Sequence, residues 1–150
     1  MPNYPDPATA FIDWLAALLG AGPESEHRRI LPEQPADLHT AVERLPTTVV
    51  ERIGGYDPHP GVDLVRLNCD TWATGPDPMK ARAAAVARAE DIRRAVRVEL
   101  PGTWLGDPDG GGIWVTRTTV VAAPTIRFWD TAAPLRRAQA TYELVVHTPL

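Results

Sequence analysis

A chain of 150 residues and 16.4 kDa has room for one domain and not for two of ordinary size. Its 44% hydrophobic and 23% charged residues are the balance of a globular protein, which excludes a chain-long disordered tail. A net charge of −4, with a pI near 5.5, excludes a free-standing DNA-coating protein.

The single cysteine, Cys69, excludes an internal disulfide and any cysteine-cluster metal site, and predicts maturation in a reducing cytosol. The apolar run from Phe11 to Leu19 is short and interrupted by Asp13, so no segment is expected to span a bilayer. No basic stretch precedes an apolar one, so no signal peptide is expected. Lys80 is the only lysine among 15 basic residues, the bias that GC-rich coding produces. The 16 prolines are about twice the usual ~5%. They fall between periodic segments and read as punctuation.

The first predicted element is a helix. Asp6 is placed to cap it, Pro7 suits its first position, and Gly20 and Gly22 lie beyond its end. Between them Phe11, Trp14, Leu15, Leu18 and Leu19 recur at helical spacing. Residues 23–46 form a polar, proline-punctuated connector, in which Leu38, Val42 and Leu45 keep a rhythm suited to one or two helical turns. A strand pair follows. Thr47 to Ile53 is short and β-branched; Gly54 and Gly55 end it, and Tyr56 to Gly61 is dense in turn chemistry. From Val62 to Trp72 the pattern alternates, with Val65, Leu67, Cys69 and Thr71 on one face and Arg66, Asn68 and Asp70 on the other.

Asp77 and Pro78 open the longest helix, whose predicted apolar stripe is Met79, Ala83, Val86, Ala89, Ile92 and Val96. Arg88, Asp91 and Arg94 face away from it. Pro101 to Gly112 reads as a loop with Asp107 to Gly112 at its tip. Strands are expected over Ile113 to Val121 and Thr125 to Trp129, then, after a turn from Asp130 to Pro134, over Arg137 to Thr148. In the last, Ala138, Ala140, Tyr142, Leu144 and Val146 share one side. The expected architecture is a single α+β domain over residues 1–150, in the order α-β-β-α-β-β, with helices packed on a mostly antiparallel sheet.

Few residues carry chemistry. The four histidines, His27, His39, His59 and His147, lie in different segments, with no metal-binding pair at helical or strand spacing. Asp57, His59 and Asp63 cluster around the strand-pair turn, where those residue types are expected for backbone reasons alone. Asp107 and Asp109 precede three glycines but lack the downstream acidic ligand of a calcium loop. Those glycines open a strand, whereas phosphate loops open helices. Cys69 falls on the apolar face of its strand, where a thiol is inert. Ser25 is the only serine, and no nucleophile elbow exists. No catalytic residue, metal ligand or cofactor site is assigned, and the chain is not read as an enzyme.

The basic clusters Arg28-Arg29, Arg93-Arg94-Arg97 and Arg136-Arg137 lack interleaved aromatics for base stacking. Of the five tryptophans, Trp14 and Trp72 suit helix–sheet contacts. Trp104, Trp114 and Trp129 lie at loops and strand ends, positions equally suited to an interface anchor and to a cluster under a loop. An interaction protein is the class that remains.

The run Pro35-Ala36-Asp37-Leu38, then Leu45-Pro46-Thr47-Thr48-Val49-Val50-Glu51-Arg52-Ile53-Gly54-Gly55, resembles the tail terminator proteins of long-tailed bacteriophages with GC-rich hosts. The strand Val62 to Ala73, the Ala-rich helix Ala81 to Val96 and the closing strand Arg137 to Val146 are similar in order and type to that family's later elements. The Pro101 to Gly112 loop and segment 23–34 have no counterpart in the resemblance. The resemblance implies a virion subunit, assembled in the host cytoplasm and placed at the neck of the tail. It would form a hexameric ring on the last ring of tail tube protein, stop tube growth, and present its other face to a head–tail stopper protein. Genomic DNA would pass the lumen without specific binding, and no membrane is involved. Tyr56, Asp57 and His59 are the expected partner-contact residues, and a strand edge from Thr47–Ile53 or Arg137–Thr148 is expected to pair with a neighbour. Another neck protein, a stopper or head-completion subunit, is the alternative within the particle, although the long helix argues against its more barrel-like sheet. A small cytosolic enzyme with dispersed carboxylates is the alternative outside it.

Overall fold

The computed structural model describes residues 5–20, 30–34, 36, 46–107, 109, 111–127 and 135–148. The expected helical turns around Leu38, Val42 and Leu45, the 130–134 turn and Trp129 lie outside the described residues.

Helix α1, Pro7–Leu19, begins where the capping chemistry places it. The Asp6 carboxylate accepts hydrogen bonds from the Thr9 backbone N–H at 2.9 Å and from the Thr9 hydroxyl at 3.1 Å, a cap worth about 1 kcal/mol. Its inward face is Phe11, Ile12, Leu15 and Ala16, while Leu18, expected on the stripe, points outward. Next come β1 (Ile30–Leu31), β2 (Thr47–His59) and β3 (Val62–Thr74), then α2 (Pro78–Arg94). A single π-helical turn, Ala95–Glu99, extends α2 and closes with the Leu100 N–H donating to the Ala95 carbonyl at 3.0 Å. Strands β4 (Thr103–Leu105), β5 (Ile113–Arg127) and β6 (Leu135–His147) complete the chain.

The strands form one sheet in the order β1-β2-β3-β6-β5-β4, with only the short β1–β2 pair parallel. This is a mixed α+β fold with a mostly antiparallel sheet. Both helices lie on one face. The sheet curls around α1, which touches β1 and β2 on one side and β4 on the other. Phe11 and Leu15 meet Val65, Leu67, Tyr142, Leu144 and Val146 in the core, joined by Ile92, Val96 and Leu100 from the end of α2. At the other end Ala85 and Ala89 seat α2 closely on Ala73 and Ala138. Buried Thr48 and Thr71 satisfy one another across β2–β3 at 2.9 Å.

Several expectations need correction. Gly54 and Gly55 do not end the second strand, and Tyr56–Gly61 is not a wide turn. β2 runs on to His59, and only Pro60 and Gly61 (φ 77°) join it to β3. Gly55 takes φ 122° so that β2 can continue past a bulge at Ile53, where a Cβ would strike the Leu64 carbonyl. Ala89, Ile92 and Val96 of the expected α2 stripe are buried, but in the first turns Ala81 and Ala85 face inward, while Met79 is 82% exposed and Ala83 is also outside. Alanines occur on several faces of that helix and mark no single stripe in its first turns, whereas Ile92 and Val96 mark the inward face at its end. The 101–112 segment contains β4, and the two expected strands after it are one long β5 that absorbs Pro124 through bulges. Residues 137–148 form no edge: β6 lies inside the sheet between β3 and β5.

Because a side chain at Gly55 meets backbone and not a flexible neighbour, we expect Gly55→Ala to lower stability by roughly 1–3 kcal/mol. Urea unfolding with far-UV dichroism checks this; an unchanged midpoint would show that the hairpin tolerates a Cβ there.

Candidate functional site

Beyond Val50, β2 leaves the shelter of the core. Every residue from Glu51 to Asp57 is exposed, and the β2–β3 hairpin stands out as an arm. One ion pair braces it. Asp63 accepts from both terminal nitrogens of the Arg52 guanidinium, at 2.9 and 3.1 Å, while Arg52 Nε donates to the Gly54 carbonyl at 3.3 Å. Partial burial pushes the Asp63 carboxyl above its usual range, Arg52 opposes that shift, and the neighbouring Asp57 adds to it. Asp57 through Asp63, together with Thr148, line a recess of about 540 Å³ at the tip. The Thr148 N–H donates to the Gly61 carbonyl at 2.9 Å, tying the tip to the end of β6.

The expected contact residues therefore lie together on the arm. Tyr56 is 65% exposed, and Asp57 and His59 are also exposed. Asp57 and Asp63 are neighbours, but among the described residues no three His, Cys, Asp or Glu groups are grouped to hold a metal ion. Asp107 and Asp109 are bound up in their own turn, the Asp109 N–H donating to the Asp107 carboxylate at 2.9 Å. Cys69 is fully buried, and burial pushes its thiol up, away from nucleophilic use.

A second feature of the tip was not legible in the chain. His59, Val62, His147, Trp114 and Trp104, one from each of five strands, pair across the sheet in a single row. Trp104 and Trp114 meet edge-on with ring centres 5.4 Å apart, and Trp104 stays 41% exposed. With Thr116, His147 and Thr148 they line a shallow recess of about 490 Å³ that shares Thr148 with the tip recess. Alternation in β6 predicted that His147 leaves the buried side. Which residues of other strands it would meet depends on pairing register, which no local pattern carries.

The sheet face away from the helices carries a polar network. Arg66 pairs with Glu143 at 2.9 Å, and Arg127 donates to Gln139 at 3.1 Å. Arg137 Nε lies 3.2 Å from Asp70 Oδ1, close enough for an ion pair but off hydrogen-bonding direction. The Arg137 guanidinium also sits 5.4 Å from the buried Trp72 ring. Asn68 Nδ2 donates to the other Asp70 oxygen at 3.0 Å. Of the basic clusters, Arg137 is thus engaged within the sheet, Arg93 pairs with Glu90 at 3.3 Å, and Arg28-Arg29 lies outside the described residues.

No protein-family model matches the chain, and no curated protein matches it. No helix among the described residues is long and apolar enough to cross a membrane.

Burial raises the Asp70 carboxyl above the usual aspartate value of 3.8, with Arg137 opposing. A carboxyl that holds its proton more tightly when folded stabilises the fold at low pH, and that contribution is lost as pH rises from 3.8 through the raised folded value. We expect Asp70→Asn to remove this slope, so that the wild-type advantage over the variant shrinks as pH rises above about 4. Urea midpoints of both proteins across that range check the sign; a growing advantage would refute it.

Proposed function

We propose that this chain is a structural subunit of the tail terminator kind. Copies would form a closed ring on the tail tube, end its growth and join it to the head-side stopper. The observation that carries the reading is the state of the sheet edges. Among the described residues, β2 is covered by β1 only at Thr48 and Val49, and β5 is covered by β4 only from Ile113 to Val115. Along the rest of both strands no described strand pairs with the outer side, and the two outer sides lie at opposite ends of the sheet order. A subunit with two different open edges suits head-to-tail contact, which builds rings when the rotation closes. The likeness of the Leu45–Gly55 run to terminator strands supports the same reading, and that run includes the outer edge of β2.

In this reading the arm bearing Tyr56, Asp57 and His59 meets the tube or the stopper. The polar, internally paired sheet face suits a passage that does not grip DNA, because Arg66, Arg127 and Arg137 are already engaged with neighbours on the sheet.

Light scattering across a concentration series, with and without tail tubes, tests the ring. We expect a ring-sized species alone or on tubes, and shorter, capped tubes by electron microscopy. A stable monomer that neither binds tubes nor limits their length would overturn the reading. Replacing Tyr56, Asp57 and His59 together by Ala should leave the thermal midpoint within a few degrees, since surface changes cost little. Joining of tails to heads should be lost; retained joining would remove the arm from the contact.

A further inference from the structure

We infer that the helix-free sheet face beside the hairpin arm is a docking surface for an extended partner segment that carries an apolar side chain and a carboxylate. The inference rests on the terminator reading, in which that segment belongs to the tube or the stopper protein. It names the surface and the chemistry of the contact.

Alternation and register place the surface. Leu144 and Val146 are buried in the core, so Val145 and His147 point to the face without helices. The row from His59 to Trp104 therefore lies on that face. The next row inward, Tyr56, Leu64, Val145 and Arg117, lies there too. Tyr56 is 65% exposed and Trp104 41%, while Leu64, Val145 and Trp114 are only half-buried. Both helices pack on the opposite face. Large apolar groups left in water at one end of an otherwise polar face mark a contact surface.

Charge selects what covers it. Arg66, Arg127 and Arg137 project from the same face, and each meets a polar partner on it: Glu143, Gln139 and Asp70. Arg117 is exposed and, among the described residues, has no carboxylate within ion-pair reach. It stands opposite Val145, one row from Trp114. The acidic groups of the tip do not compensate it. Asp63 lies opposite buried Val146, on the helix side, and Asp57 is its neighbour there. The patch is thus aromatic with one uncompensated positive charge. A basic segment would be repelled by Arg117, and a wholly polar one would leave the tryptophans wet. A single unengaged guanidinium suits one carboxylate better than a chain of phosphates, which needs several.

Shape sets the rest. At the ~4.8 Å spacing of paired strands, the row across β2, β3, β6, β5 and β4 is ~19 Å long, the span of about six extended residues. The recess of about 490 Å³ beside Trp104 and Trp114 takes the apolar anchor. A carboxylate a residue or two along the segment then reaches Arg117.

The test titrates the full, 15N-labelled chain with the hexapeptide acetyl-Glu-Leu-Ser-Phe-Glu-Ser-amide. We expect the indole N–H signals of Trp104 and Trp114 and the backbone signals of Tyr56 and Arg117 to move together and saturate. Lys in place of both Glu residues, or Arg117→Gln in the protein, should weaken binding about tenfold, and Arg117→Lys should restore most of it. Trp104→Ala, in a chain of wild-type dichroism, should abolish it. No shift at millimolar peptide, or equal shifts with the Glu and Lys peptides, would overturn the inference. Tighter binding of an eight-nucleotide thymidine oligomer than of the peptide would assign the face to nucleic acid and overturn it. A mass that grows with concentration and falls to the monomer in Trp104→Ala would show that a second copy covers the face, with the same consequence. Joining of tails to heads separates the two readings. Trp104→Ala with Arg117→Glu should lose joining. Retained joining would overturn the docking surface and leave the terminator reading standing. Peptide binding as expected, in a chain that neither binds tubes nor limits their length, would support the surface and overturn the terminator reading.

Discussion

β3 and β6 pair over thirteen successive rows without a bulge, from Val62 opposite His147 to Thr74 opposite Leu135. No other pair of long strands in the sheet is so regular. An unbroken antiparallel ladder keeps alternate side chains on one face throughout. Val65, Leu67 and Cys69 therefore lie on the same side as Ala140, Tyr142 and Leu144, and α1 has a continuous apolar floor to settle on. A slip of one residue anywhere along it would turn Tyr142 and its neighbours to water. The other elements take their places from this pair: β2 and β5 flank it, and α1 and α2 bury their apolar residues in cores shared with it.

Irregularity is confined to the strands outside that pair. β2 bulges at Ile53 and again between Tyr56 and His59, while β5 bulges three times. Bulges increase local twist and let a sheet curl, which the outer strands must do to wrap α1. They also displace Ile53 and Val121 outward. The price of curling is thus two interrupted, partly apolar edges that β1 and β4 are too short to cover. In a lone subunit such edges are a hazard. In an assembled one they are the natural place for contact.

Much of the architecture could be read from local chemistry. Asp6-Pro7 and Asp77-Pro78 marked both helix starts because capping is decided within four residues. The alternation of β3 and β6 was plain because a strand buried on one face repeats every two residues. Where the sequence misled, two local preferences competed or none was strong. Gly54 and Gly55 look like a strand end, yet a glycine that reaches φ 122° also lets a strand continue past a bulge. The stripe expected on α2 holds at Ala89, Ile92 and Val96 and fails at Met79 and Ala83, where alanines surround the helix and mark no face. Tyr56, Asp57 and His59 were expected in a turn after the strand, and they lie instead in the last exposed residues of β2, with the reversal confined to Pro60 and Gly61.

By itself, then, the chain determined where the two described helices begin, which side chains of the two central strands face inward, and that a strand pair with an exposed reversal follows Val50. These depend on interactions between near neighbours in sequence. Only the tertiary structure decided that β6 sits inside the sheet, that the short β1 and β4 end it beside β2 and β5, and that His59, Val62, His147, Trp114 and Trp104 fall into one row. Strand order and register join residues more than eighty positions apart, and their free energy comes from burying one shared core against α1. No window of sequence contains that term, so the edges and the surface they offer emerge only when the whole sheet has closed around its helix.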